Sequence, residues 1–69
     1  MTTVEIGGRT FRVGATYAPK KGSVWRGPAV FEGMSKSGLF VLYTPVGGLR
    51  TDCNTGFWLE QAGDEVQPR

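Results

Sequence analysis

Two short stretches hold the residue types capable of chemistry. Pro19-Lys20-Lys21-Gly22-Ser23 runs straight into Val24-Trp25-Arg26-Gly27, and Thr51-Asp52-Cys53-Asn54 holds the single cysteine. In the first, Lys20 and Lys21 offer charges for phosphate oxygens. Trp25 offers a plane for a base, and Arg26 a flat fork that stacks or grips a phosphate with two hydrogen bonds. Stacking a base on an aromatic ring is worth about 1–3 kcal/mol, enough to matter in a small groove. The competing reading is structural: the lysines solvate a loop, and Trp25 belongs to the core, because so short a chain needs its large aromatics inside. Lys36 and Arg50 add to the basic set from other parts of the chain.

The second stretch points away from catalysis. Asp52 beside Cys53 raises the thiol pKa instead of lowering it, and the chain has no histidine to activate a thiolate. Lack of histidine also removes the commonest general base near neutral pH and the commonest metal ligand. Asp64 and Glu65 are the only adjacent carboxylates, and they fall in a polar C-terminal segment. Acid–base glycoside chemistry needs two carboxylates fixed across a cleft. Gly7-Gly8 and Gly47-Gly48 read as turns, and neither opens a helix or carries the lysine of a phosphate loop. The residues therefore predict a non-enzyme with no catalytic residues, no cofactor and no metal.

Charge is distributed unevenly. Seven of the eight basic residues lie between Arg9 and Arg50 with one carboxylate, Glu32, among them, while Asp52, Glu60, Asp64 and Glu65 crowd the C-terminal end. The formal net charge of +2 thus hides a basic block, interleaved with Phe11, Tyr17, Trp25, Phe31, Phe40 and Tyr43, that suits an acidic partner.

The 69 residues make one domain. At this size only about 60% of the unfolded chain's surface is buried, and one cysteine supplies no internal disulfide. A lone cysteine fits a reducing compartment. Met-Thr-Thr-Val-Glu at the start has no basic or apolar signal region, so neither a signal peptide nor a membrane span is predicted, and the expected setting is cytoplasmic.

Eleven glycines and four prolines separate short segments rich in Val, Phe, Tyr, Trp and Thr, which predicts an all-β fold: a small barrel of about five antiparallel strands over residues 1–60. The clearest element is a hairpin. Val4-Glu5-Ile6 and Thr10-Phe11-Arg12-Val13 flank Gly7-Gly8, with Val4, Ile6, Phe11 and Val13 on one face and Glu5 diagonal to Arg12 on the other. Further strands are expected over 24–31, broken by Gly27-Pro28, over 39–43, around 49–53, and at Phe57-Trp58-Leu59. No segment has a convincing helical period. Residues 61–69 are polar and acidic and are expected to form a flexible tail.

Leu39-Phe40-Val41-Leu42-Tyr43 breaks the alternation of a strand with one wet face, since it is apolar on both. Something must cover its outward side: the Phe57-Trp58-Leu59 segment, a second copy of the chain, or a different protein. These five residues are the candidate protein interface.

The stretch Lys20-Lys21-Gly22-Ser23-Val24-Trp25-Arg26-Gly27-Pro28-Ala29-Val30 resembles the lysine–glycine–tryptophan–glycine segment of the plasmid-borne type II dihydrofolate reductases. Weaker similarity extends through Val13-Gly14-Ala15 and over 38–60, covering about two-thirds of the chain. That family consists of SH3-like barrels that assemble as tetramers around a pore, so the resemblance implies an SH3-like barrel, an oligomer, and a phage or mobile-element origin. A basic loop, a tryptophan and a glycine opening a strand are common to SH3-like modules in general. The reductases' pore strand reads valine-glutamine-isoleucine-tyrosine where this chain reads Leu49-Arg50-Thr51-Asp52. Reductase activity is thus the most remote implication, and Lys21 is its one matching pore residue.

Two functional readings follow. The first is a protein-interaction module, self-assembling or binding a host protein through 39–43. The second is nucleic-acid binding by Lys20, Lys21, Trp25, Arg26, Lys36 and Arg50, with affinity falling steeply as salt rises.

Overall fold

The computed structural model describes residues 2–66. Gly7 and Gly8 take φ of 56° and 83°, a conformation open to glycine at both central positions of a two-residue turn. They join β1 (Thr3–Ile6) to β2 (Arg9–Arg12), with Val4 opposite Phe11 and Ile6 opposite Arg9. The expected hairpin is there, with Ile6 and Phe11 buried on its inner face.

The other strands form one antiparallel sheet in the order β6-β5-β4-β3-β7. They are β3 (Thr16–Pro19), β4 (Ala29–Met34), β5 (Phe40–Pro45), β6 (Thr51–Asn54) and β7 (Ala62–Glu65). The all-β class is as expected, but the sheet does not close into a barrel. It remains open, with β6 and β7 at its margins. Within it, β4 carries a bulge between Phe31 and Gly33 that leaves Glu32 unmatched, and Thr44 Oγ1 donates to Glu32 Oε2 at 2.9 Å.

Three local expectations are corrected. Residues 24–28 form a loop, because Gly27-Pro28 ends extended pairing before β4 begins. Phe57-Trp58-Leu59 is helical, within α1 (Thr55–Gln61). Asn54, expected only to lie between the strands around 49–53 and at 57–59, ends β6 and is the helix N-cap, its side chain accepting from the Phe57 N–H at 2.7 Å. A seven-residue helix is marginal alone, so tertiary burial of Trp58 stabilises it.

The expected loose tail is also corrected as far as residue 66. β7 pairs with β3, with Tyr17 opposite Glu65 and Pro19 opposite Ala62, and the Val66 N–H donates to Thr16 O at 2.8 Å. Two arginines of the hairpin hold it. Arg9 donates from its two terminal nitrogens to Ala62 O and Gly63 O, both at 2.8 Å, with its guanidinium 4.7 Å from the centre of the Phe11 ring. Arg12 forms an ion pair with Glu65. Residues 67–69 of the expected tail lie outside the described residues.

Trp58 sits at the centre of the core, fully buried. The rings of Phe11, Tyr17, Trp25, Phe31 and Tyr43 surround it at centroid distances of 5.3–6.1 Å. Such edge and tilted contacts each add about 0.5–1.5 kcal/mol beyond burial. Among the described residues, no helix is long and apolar enough to cross a membrane.

Candidate functional site

The loop carrying Lys20, Lys21, Trp25 and Arg26 is tied to the end of α1. Lys20 N–H donates to Gln61 O at 2.8 Å, and a turn closes from the Ser23 N–H to Lys20 O at 2.8 Å with Gly22 at φ 86°. Gln61 Oε1 then accepts from Ser23 Oγ at 2.6 Å and from the Val24 N–H at 2.8 Å, and Ser23 Oγ accepts from the Trp25 N–H at 3.0 Å. The Gln61 side chain is buried and its carbonyl oxygen is satisfied twice over. Through this chain of bonds it sets where Trp25 enters the fold.

Trp25 is half-buried, packed against Tyr43 at 5.4 Å and Trp58 at 5.3 Å. One side of it faces a groove of about 170 Å³ whose other walls are Pro28, Tyr43, Pro45 and Val46, with Arg26 on the rim. The Val46 N–H donates to Pro28 O at 3.0 Å, fastening the two walls together. Among the described residues lining the groove, Arg26 is the only one charged at neutral pH. Burial is the main cause that raises the Tyr43 phenol pKa, with the Cys53 and Asp52 charges adding to it, so the phenol stays neutral. Trp25 opposes that shift, yet its Nε1 is buried without a partner at hydrogen-bond geometry.

The remaining basic candidates do not gather here. Lys20 and Lys21 are exposed and line a separate, wider concavity of about 410 Å³ with Arg9, Pro19 and Asp64. Arg9 is already committed to the β7 carbonyls, and Asp64 adds a negative charge to the same rim. Lys36 projects from the turn between β4 and β5, and Arg50 lies with Leu42, Thr51 and Asp52 beside β6. The sequence block of positive charge is thus divided among several surfaces.

The proposed protein interface is also divided. Val41 and Tyr43 point inward against the aromatic cluster around Trp58, so neither is available on the strand's outward face, although Tyr43 lines the groove. The strand's outward residues are Phe40, 44% exposed, and half-buried Leu42, with Leu39 exposed just ahead of the strand. The helical segment 57–59, one of the three candidates to cover the outward side, instead sends Trp58 into the inward one.

Cys53 is half-buried opposite Val41. Its thiol is pushed up to about 11, first by burial and then by the charge of Asp52, so it stays protonated near neutrality. Pro28, Pro45, Val46 and Gln61 are the contributors that sequence reasoning missed. Pro28 read only as a break in a strand, Pro45 and Val46 only as the loop between two strands, and Gln61 as the start of a tail.

Comparison with protein-family models, with curated proteins and with solved structures gives no match.

Proposed function

We propose that this protein is a non-enzymatic protein-interaction module that seats an apolar segment of a partner in the Trp25–Pro28–Tyr43–Pro45–Val46 groove. On this reading the hairpin and open sheet are an SH3-like scaffold, and the groove is its recognition surface. The observation that carries the reading is the groove itself: aromatic and proline walls, locked by the Val46–Pro28 hydrogen bond, with Val46 left 62% exposed. Rigid, mostly apolar concavities with few polar groups are the usual form of a binding site. Aromatic and proline surfaces suit a proline-rich segment, because its preformed polyproline II helix loses little entropy on docking.

The test is capture of proteins from cell lysate on the immobilised chain, with and without nuclease, beside the Val46→Asp variant. Retained protein that survives nuclease and is lost with Val46→Asp supports the groove. Retention unaffected by that substitution refutes it.

Nucleic-acid binding is the second reading, favoured by Lys20 and Lys21 lining one open concavity. It requires that capture disappear with nuclease, and that affinity fall with salt at a log–log slope of about −0.7 to −0.9 per phosphate contacted.

A further inference from the structure

The two margins of the sheet are not equivalent. At β7, Arg9 caps the carbonyls of Ala62 and Gly63, and Arg12 grips Glu65, so the hairpin closes that side. At β6, Thr51, Asp52 and Cys53 make no backbone hydrogen bond beyond the pairing with β5 among the described residues. An uncovered strand edge is a template for another strand.

The side chains on this edge say which strand fits. Arg50 and Asp52 are two residues apart and line one concavity with Leu42, the residue opposite Asp52 on β5. Among the described residues neither has an ion-pair partner. Leu49, immediately before them, is 88% exposed, and Phe40 and Leu42 leave apolar surface on the outward side of the neighbouring strand.

From this arrangement we infer that β6 pairs antiparallel with β6 of a second copy of the chain, about a two-fold axis through Thr51. In that register Arg50 lies opposite the partner's Asp52 and Asp52 opposite the partner's Arg50. Leu49 lies opposite the partner's Cys53, so the strand lengthens by two residues at its start. A two-fold axis brings the same patch of both copies together, and a patch with alternating charge complements itself only when the pairing is antiparallel and centred between the two charges. Opposite charges directly across a ladder stabilise it, and like charges there destabilise it. The groove at Trp25 plays no part in this pairing, so the inference stands or falls independently of the proposed function.

Charge reversal tests it. Wild-type protein at about 1 mM, high enough to populate even weak self-association, is expected to sediment at twice the 7.5 kDa chain mass. Arg50→Asp alone places two pairs of facing carboxylates across the axis, and Asp52→Arg alone places two pairs of facing guanidinium groups there; each is expected to sediment as a monomer. An equimolar mixture of these two variants restores attraction at both positions and is expected to return to the doubled mass, as is the double variant Arg50→Asp/Asp52→Arg. Both substituted side chains are exposed, and far-ultraviolet circular dichroism verifies that each variant is folded. A monomeric wild type overturns the inference. So does a dimer that survives both single reversals, or a mixture of the two that stays monomeric.

Discussion

Gln61 Oε1 accepts a 2.6 Å hydrogen bond from Ser23 Oγ, joining the end of α1 to the loop that delivers Trp25. The same oxygen takes the Val24 N–H, and Ser23 in turn takes the Trp25 N–H, so one buried amide orders three consecutive residues. Replacing Gln61 with Leu keeps the volume but leaves the Ser23 hydroxyl and the Val24 N–H without their acceptor. The expected cost is about 1–3 kcal/mol, the usual penalty for stranding a buried polar group. Urea unfolding measures it, and amide hydrogen exchange at Val24 and Trp25 is expected to quicken more than exchange in β4.

Trp58 contacts five aromatic rings, so its removal empties the middle of the core. Trp58→Ala is expected to cost about 3–5 kcal/mol, which consumes most of the stability of a domain this small. The near-ultraviolet circular dichroism of the aromatic cluster should collapse. Trp58→Phe, which keeps a ring in place, is expected to lose less and to retain that signal.

Gly63 allows β7 to lie close against β3. A Cβ built there meets Ala18 O at 3.0 Å and the Lys20 backbone at 3.2 Å, atoms that cannot swing aside as a side-chain end would. Gly63→Ala is therefore expected to destabilise by about 1–3 kcal/mol through overpacking. Thermal unfolding reads this as a lowered midpoint.

Cys53 makes stability fall in alkali. Its thiol titrates near 9.0 in the unfolded chain and at about 11 in the fold, so between those values the folded state holds the proton more tightly. Stability from this group is complete below pH 9 and is lost as pH rises through about 11. The Tyr43 phenol, raised chiefly by burial from its ordinary value of 10.0, acts in the same direction. Urea midpoints at pH 8 and at pH 10.5 are expected to differ, and Cys53→Ala should flatten that slope. The same burial predicts slow reaction of the thiol with a disulfide reagent at pH 8 unless urea is added.

Much of the design is readable along the chain because it is local. Gly7-Gly8 between two alternating segments specifies the hairpin and its inward set, since turn conformation and a two-residue side-chain period depend on neighbours alone. The density of glycine, proline and β-branched or aromatic residues specifies the all-β class. Asp52 next to Cys53 already implies an unreactive thiol, and burial adds to the same direction.

Other features arise only when distant segments meet. Thr55–Gln61 has too few residues for a helical period to be visible, and it holds its shape because Trp58 is buried among rings from β2, β3, β4, β5 and the Trp25 loop. Ala62–Glu65 is too polar to order by itself; pairing with β3 and the grip of two arginines more than fifty residues earlier make it a strand. Those arginines look like surface charge in the sequence, and the fold spends them internally. Amino-acid order alone established strands, a hairpin and a chain rich in core aromatics. Which face of Val41 and Tyr43 is dry, which margin of the sheet is left bare, and how the positive charges part company were decided by three-dimensional packing, because burial and long-range pairing belong to no single segment.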